Sequence, residues 1–313
     1  MNRMIQMLII AAFSLLVSIQ AQSQTIERKV IVEEEEEKTT TTQEWSIMSF
    51  SSKTVSPTIQ VFYSASSPSL LNERHKDYNE PFGGEFFKSN FGEIRLGTTM
   101  HSMRYPDYGI ADYDFSSIYF KYLGPDGFTR NTPMDDEYNL KVMQFGFSGA
   151  SGYGYRSEDG WFGFYLFTGG TMNWSDVAYS IENGGDIESN AALNTYDGTL
   201  RFGESFESGF KIGALGPLNL ITSYESMIIY PRHLFWKWTI SEMIEQIGIG
   251  VAGQFAKSIM KKSPELGPIV NWVLKTGIYY GLYELRRTNM NWPFKTAPPM
   301  IINSWKLGLS LEF

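Results

Sequence analysis

The 313-residue sequence predicts an all-β transmembrane barrel, antiparallel, of about eight strands, with an α-helical hairpin inserted before the last one. Three observations predict it. Segments of alternating apolar and polar residues recur along the chain, long and short connections between them alternate, and the period changes from two to helical between Pro231 and Pro299. Successive side chains of a strand point to opposite faces, so each alternating segment has one apolar face and one polar or small face.

The first 23 residues, with Arg3 ahead of an apolar run from Met7 to Val17 and a small-residue end at Ala21 and Ser23, have the layout of a secretory signal peptide. That run is too short for a spanning helix. Residues 24–56 hold five consecutive glutamates and four threonines, a composition that does not bury enough apolar surface to fold alone, and are expected to be disordered. The barrel is expected over 57–313, with the helical insertion at 231–299.

Strand candidates are Ile59–Ser64, Phe91–Met100, Phe115–Tyr122, Leu140–Gly149, Trp161–Gly170, Leu200–Gly213, Leu218–Tyr230 and Ser304–Phe313. Of these, Leu218–Tyr230 alternates least cleanly. Glu44–Phe50 is a ninth candidate, and a tenth would then be needed, because an even count returns both ends to one side. RSEDG at Arg156–Gly160 and ALGP at Ala214–Pro217 read as tight turns, whereas Ala65–Asn90, Leu123–Asn139 and Met172–Thr199 are long connections. A soluble sandwich, the structural rival, has no reason to keep that rhythm.

The closing segment SWKLGLSLEF sets Trp305, Leu307, Leu309, Leu311 and Phe313 against Lys306, Gly308, Ser310 and Glu312. With the loop rhythm, it resembles the closing strand of bacterial outer-membrane β-barrel proteins. The resemblance implies the outer membrane of a Gram-negative envelope, outer-membrane lipid as surroundings, and recognition of Phe313 as an assembly signal by the barrel-assembly machinery. It also implies that the last strand runs toward the periplasm, which puts the preceding connection outside.

Polar strand faces would then line the lumen, with Glu93, Arg95, Lys121, Gln144, Glu207, Lys211, Glu225, Lys306 and Glu312 as lumen-facing candidates. Mixed charges in a narrow barrel most simply pair with one another. An eight-stranded interior is filled by its own side chains, which leaves no room for a helical plug.

Within the insertion, Ile240, Met243, Ile244, Ile247, Val251, Phe255 and Ile259 recur at helical spacing opposite Glu242 and Glu245, and a second helical run covers Ile269–Arg287. Nine basic residues face four acidic ones between Pro231 and Pro299, leaving −13 for the rest of a chain of net charge −8. Lys257, Lys261, Lys262, Trp272, Arg286 and Arg287 are the candidates for contact with lipid headgroups or a protein partner. The competing reading is a packed lid whose apolar stripe is buried against the barrel mouth.

The acidic balance argues against nucleic-acid binding. The chain has no cysteine, so no disulfide or thiolate site is open to it, and no cofactor or metal motif is present. Asp135, Asp136 and Glu137 lack calcium-loop spacing. None of the three histidines, His75, His101 and His233, has a serine two residues on, and a His–Ser–acid set would have to assemble in space, for example from His101, Ser102 and Asp107. Function therefore reads as a non-enzymatic barrel with a surface-exposed hairpin. The alternatives are a narrow channel or transporter gated by the hairpin and a lipid-modifying outer-membrane enzyme.

Overall fold

Period-2 alternation is satisfied by one ladder. The computed structural model describes residues 54–70, 89–124, 138–157, 162–181, 193–215 and 217–313. Eight antiparallel strands close on themselves in sequence order. They are β1 (Thr54–Leu70), β2 (Ser89–Tyr105), β3 (Ile110–Gly124), β4 (Tyr138–Arg156), β5 (Gly163–Ile181), β6 (Arg201–Leu215), β7 (Leu218–Ile229) and β8 (Met300–Glu312). Between β7 and β8 lie α1 (Phe235–Lys262) and α2 (Gly267–Thr288), joined by a 3-10 turn at Pro264–Leu266. The signal-peptide segment, residues 24–53 of the acidic segment, the Glu44–Phe50 candidate, His75 and the Asp135–Glu137 cluster lie outside the described residues, while residues 54–56, expected to be disordered, open β1.

Register fixes the two ends of the barrel. β1 pairs with β8 from Thr58↔Glu312 to Leu70↔Met300, and the Phe313 N–H donates to the Pro57 carbonyl at 3.0 Å. The start of β1, the end of β8 and the tight connections at Pro106–Gly109, Arg156–Phe162 and Leu215–Leu218 therefore share one end, the turn end. The opposite, loop end receives the longer connections. Strands of 12 to 19 residues exceed the roughly 9–11 that a tilted strand needs to cross a bilayer.

Outward faces carry the apolar band: Ile94, Leu96, Ile118, Phe120, Phe145, Leu307 and Leu309 are all exposed. Near the loop end this polarity inverts. On β4 the outward residue after Phe147, Phe145 and Met143 is Lys141, and on β5 Trp174 is followed by Asp176, both charged residues exposed. At the same height the inward residues change from Gln144 and Ser175 to Val142 and Val177, which join a buried apolar cluster with Leu70, Phe91 and Ile302. Leu193 and Tyr196, from the connection before β6, close over it. The polar-inside pattern thus ends there, and the top of the barrel is built like the core of a water-soluble protein. Trp305 packs on Tyr224 at 5.1 Å and Trp174 on Phe145 at 5.8 Å beside this boundary, the place amphipathic rings favour in a bilayer.

Candidate functional site

Two arrangements compete for function: the lumen and the helical hairpin. In the lumen, Glu93, Arg95, Lys121, Gln144, Glu207, Lys211, Glu225 and Lys306 all point inward and all are buried. Arg95 bonds Glu93 and reaches Glu207 at 2.6 Å, and Lys121 bonds Glu225. Lys306 sits between Glu93 at 3.0 Å, Glu207 at 3.2 Å and Glu225 at 3.6 Å. Toward the turn end, Lys211 bonds Glu312, which also lies 3.1 Å from His101 Nε2. Within this network four cations meet four carboxylates, so its charges balance. Aromatic rings fill the space between: Phe62 lies under Arg95 and Lys306, Phe91 under Lys121, and Tyr113 under Lys211. Gly308 is required by this packing, because a Cβ there would strike the Phe62 ring. The Gln144 amide is taken up by Ser175 at 2.7 Å. The charged groups of this network are paired, while Gln60 Nε2, Gln144 Oε1 and Ser310 Oγ have no partner among the described residues.

The His–Ser–acid set is not assembled. His101 points into the lumen, whereas Ser102 donates to Asp112 at 3.2 Å, and Asp112 also holds Arg104 at 2.7 Å. A nucleophile and base must lie within hydrogen-bond reach, and neighbouring strand residues on opposite faces are not.

The hairpin lies in neither expected place. Instead of standing beyond the loop end, it runs down the outside of the barrel. At the loop end, Arg286 of α2 bonds Glu204 on the outward face of β6. Trp238 of α1 donates to the same carboxylate at 3.2 Å. Midway, Tyr279 stacks on Phe206 with ring centroids 4.5 Å apart, and Thr276 Oγ1 lies 2.7 Å from Ser208 Oγ. At the bottom, Tyr155 of β4 donates to the Glu265 carbonyl in the helix–helix turn at 2.5 Å. Tyr155 is the penultimate residue of β4, at the turn end. At 1.5 Å rise per residue, α2 spans about 33 Å, close to the thickness of a bilayer's hydrocarbon core.

The wall beneath the hairpin has a composition of its own. Elsewhere the outward band is mostly large apolar and aromatic side chains, whereas here Ser151, Thr168, Gly170, Glu204, Ser208 and Ser226 stand among Phe206 and Ile228. Outward-facing Thr168, Ser208, Ser226 and Ile228 are consequently buried. Helix meets helix the same way: Gly248 faces Ile278 and Gly253 approaches Lys275, while Ala252 and Ala256 of α1 are buried. Small residues let backbones approach closely, which is how helices associate in a membrane, where apolar surface gains nothing by leaving lipid.

The apolar stripe of α1 is turned outward. Ile240, Met243, Ile247, Val251 and Phe255 are between 44% and 66% exposed, while Ser241 and Glu245 on the other side are buried. The packed-lid expectation is therefore overturned: the helix is inside out relative to one in water. No helix among the described residues is long and apolar enough to cross a membrane by itself.

The six predicted contact residues separate into groups. Arg286 is buried among Glu204, Glu242 at 2.8 Å and Glu245 at 3.0 Å, and so is a structural cation closed to headgroups. Trp272 is half-buried, with its indole N–H turned into the protein and no acceptor there among the described residues. Arg287 is exposed at the loop end, 3.6 Å from Glu284. Lys261 and Lys262 are exposed in the last turn of α1 at the opposite end, and Lys257 lies one turn earlier. The groups that sequence reading missed are Glu204, Ser208 and Tyr155. Polar residues at outward positions of strands were the signal that could have found them.

Among solved structures, the chain is similar to the Neisserial surface protein A (9% identity, TM-score 0.32), covering 84% of this chain and 99% of that one. It is also similar to Ail, the attachment invasion locus protein of Yersinia pestis (8% identity, TM-score 0.28), covering 83% and 98%. No protein-family model and no curated relative matches the chain. The barrel assignment rests on the strand ladder and its two faces, and no role transfers from proteins this distant.

Proposed function

We propose that the protein is a non-enzymatic, non-conducting outer-membrane β-barrel that holds a helical hairpin within the bilayer, with the hairpin's outer face in contact with lipid. The observation that carries this reading is the inversion of α1. Its apolar residues face away from the protein at the same heights as the barrel's own apolar band, while its polar and small residues face the wall. In water such a helix would expose several large apolar side chains, a patch that soluble proteins rarely tolerate. In lipid the same arrangement is the favourable one.

The balanced charge network of the lumen and the rings packed against it support the non-conducting part of the reading and speak against the channel alternative. The separation of His101 from Ser102 removes the best candidate for a lipid-modifying enzyme. The turn end then corresponds to the periplasmic side and the loop end to the outside.

Single-site spin labelling tests the reading, and the natural absence of cysteine makes it clean. Val251→Cys and Val273→Cys, each bearing a nitroxide in protein reconstituted into bilayers, are expected to be relaxed by dissolved oxygen and shielded from a water-soluble nickel chelate. Strong relaxation by the chelate at both sites would contradict it.

A further inference from the structure

Three polar atoms in the turn-end half of the lumen stand without a hydrogen-bond partner among the described residues: Ser310 Oγ, Gln60 Nε2 and His101 Nδ1. Their residues are at most 9% exposed. Gln60 and Ser310 are paired across the β1–β8 seam, and both point inward. Cβ atoms of residues so opposed lie about 5 Å apart. Glu312, the next inward residue of β8, bonds Lys211 and lies 3.1 Å from His101 Nε2. The Tyr113 and Tyr165 rings pack on the His101 ring at 5.7 and 4.9 Å. Toward the loop end, the next inward residue of β1 is Phe62, whose ring lies under Arg95 and Lys306. The three atoms therefore belong to the stretch of lumen between Phe62 and the turn-end mouth.

A buried polar atom without a bond is costly, and three near one another call for a shared partner. Their chemistry selects it. The Glu312 carboxylate takes the proton of His101 Nε2, which leaves Nδ1 of the neutral ring as an acceptor. The Gln60 amide nitrogen only donates, and the Ser310 hydroxyl does both. A cation needs acceptors throughout and an anion needs donors throughout. One donor, one acceptor and one hydroxyl suit a small neutral molecule that gives and takes, and a buried water makes about three such bonds.

We infer that Gln60, Ser310 and His101 form an internal water site at the turn end of the lumen, a blind vestibule that takes up ordered water and ends at Phe62, Arg95 and Lys306. The inference rests on the closed-lumen reading above and assigns its turn-end half a ligand. The water links side chains of β1, β2 and β8, and so adds to the backbone ladder at the seam where the barrel closes.

The test uses the full chain in bilayers with isotope-labelled serine, and solid-state NMR of polarisation transfer from water. Ser304 is the internal reference: it lies on the same strand and face and is as buried, but its hydroxyl is 2.9 Å from that of Ser66. Transfer to Ser310 is expected to be several times faster than transfer to Ser304. Slow transfer at both overturns the water site and leaves the closed lumen standing. Fast transfer at both overturns the blind end, and the closed-lumen reading with it. Ser310→Ala supplies a second readout whose sign depends on the water. Removing a hydroxyl that holds water takes a partner from Gln60 and His101, so the urea midpoint is expected to fall. Removing a hydroxyl that holds nothing relieves a buried unbonded group, so a raised midpoint would overturn the assignment.

Discussion

Arg286 of α2 bonds Glu204 of β6 across 82 positions of sequence, joining the helical hairpin to the outer wall of the barrel. The same guanidinium holds Glu242 and Glu245 of α1, so one cation ties both helices to one strand. Breaking a buried pair from one side leaves charge without compensation and costs about 3–5 kcal/mol. Arg286→Gln is therefore expected to loosen the hairpin while the barrel stays closed. Amide hydrogen exchange should rise in α1 and α2 but not in β1–β3. A uniform rise across all strands would mean that the hairpin and barrel are one cooperative unit.

The lumen network makes a separate prediction. Lys306 lies within 3.6 Å of Glu93, Glu207 and Glu225, so Lys306→Met leaves these three carboxylates to Arg95 and Lys121 alone, with one buried negative charge uncompensated. A loss of about 3–5 kcal/mol is expected in urea unfolding followed by the shift between folded and unfolded gel bands. Glu207→Gln removes one carboxylate facing Arg95 and Lys306 and should cost a comparable amount. An unchanged urea midpoint for both variants would show that the network is not the buried, paired structure described.

Conductance follows from the same interior. Purified protein in planar bilayers is expected to show no steady single-channel current, and deleting residues 235–288 should leave it silent. Regular openings in either form would reinstate the channel.

His101→Ala tests the remaining chemistry. His101 bonds Glu312 in the lumen mouth and stands opposite Thr54 and Tyr113 in its strand pairings, neither of them a serine. Lipid composition of membranes carrying this variant is expected to match that of membranes carrying the wild type.

The strand ladder was legible because a two-residue period leaves one answer for each strand, and SWKLGLSLEF was legible as part of the closing strand β8. Leu218–Tyr230 alternated poorly for a physical reason: its outward Ser226 and Ile228 lie under the hairpin, while inward Met227 and Ile229 join the apolar cluster at the loop end. The lumen charges were legible from their polar strand faces. The hairpin's place was not. A stripe such as Ile240–Met243–Ile247–Val251 states which residues share a face but not whether protein or lipid covers it, and loop topology places only the ends of an insertion. The missing information was in the wall: Thr168, Gly170, Glu204 and Ser208 interrupt the apolar band where a helix must approach closely.

The central claim, that the hairpin lies along the barrel wall, is tested most directly by one disulfide. Ser208 Oγ and Thr276 Oγ1 are 2.7 Å apart, and the chain has no other cysteine to compete. In intact membranes, S208C/T276C is expected to cross-link within the chain under mild oxidation, giving a species of altered mobility in non-reducing gels that reverts with reductant. A second pair, S66C/S304C, joins β1 to β8 where the hydroxyls are 2.9 Å apart and serves as the control for oxidation. Cross-linking of the control pair without cross-linking of S208C/T276C would contradict the wall-docked hairpin.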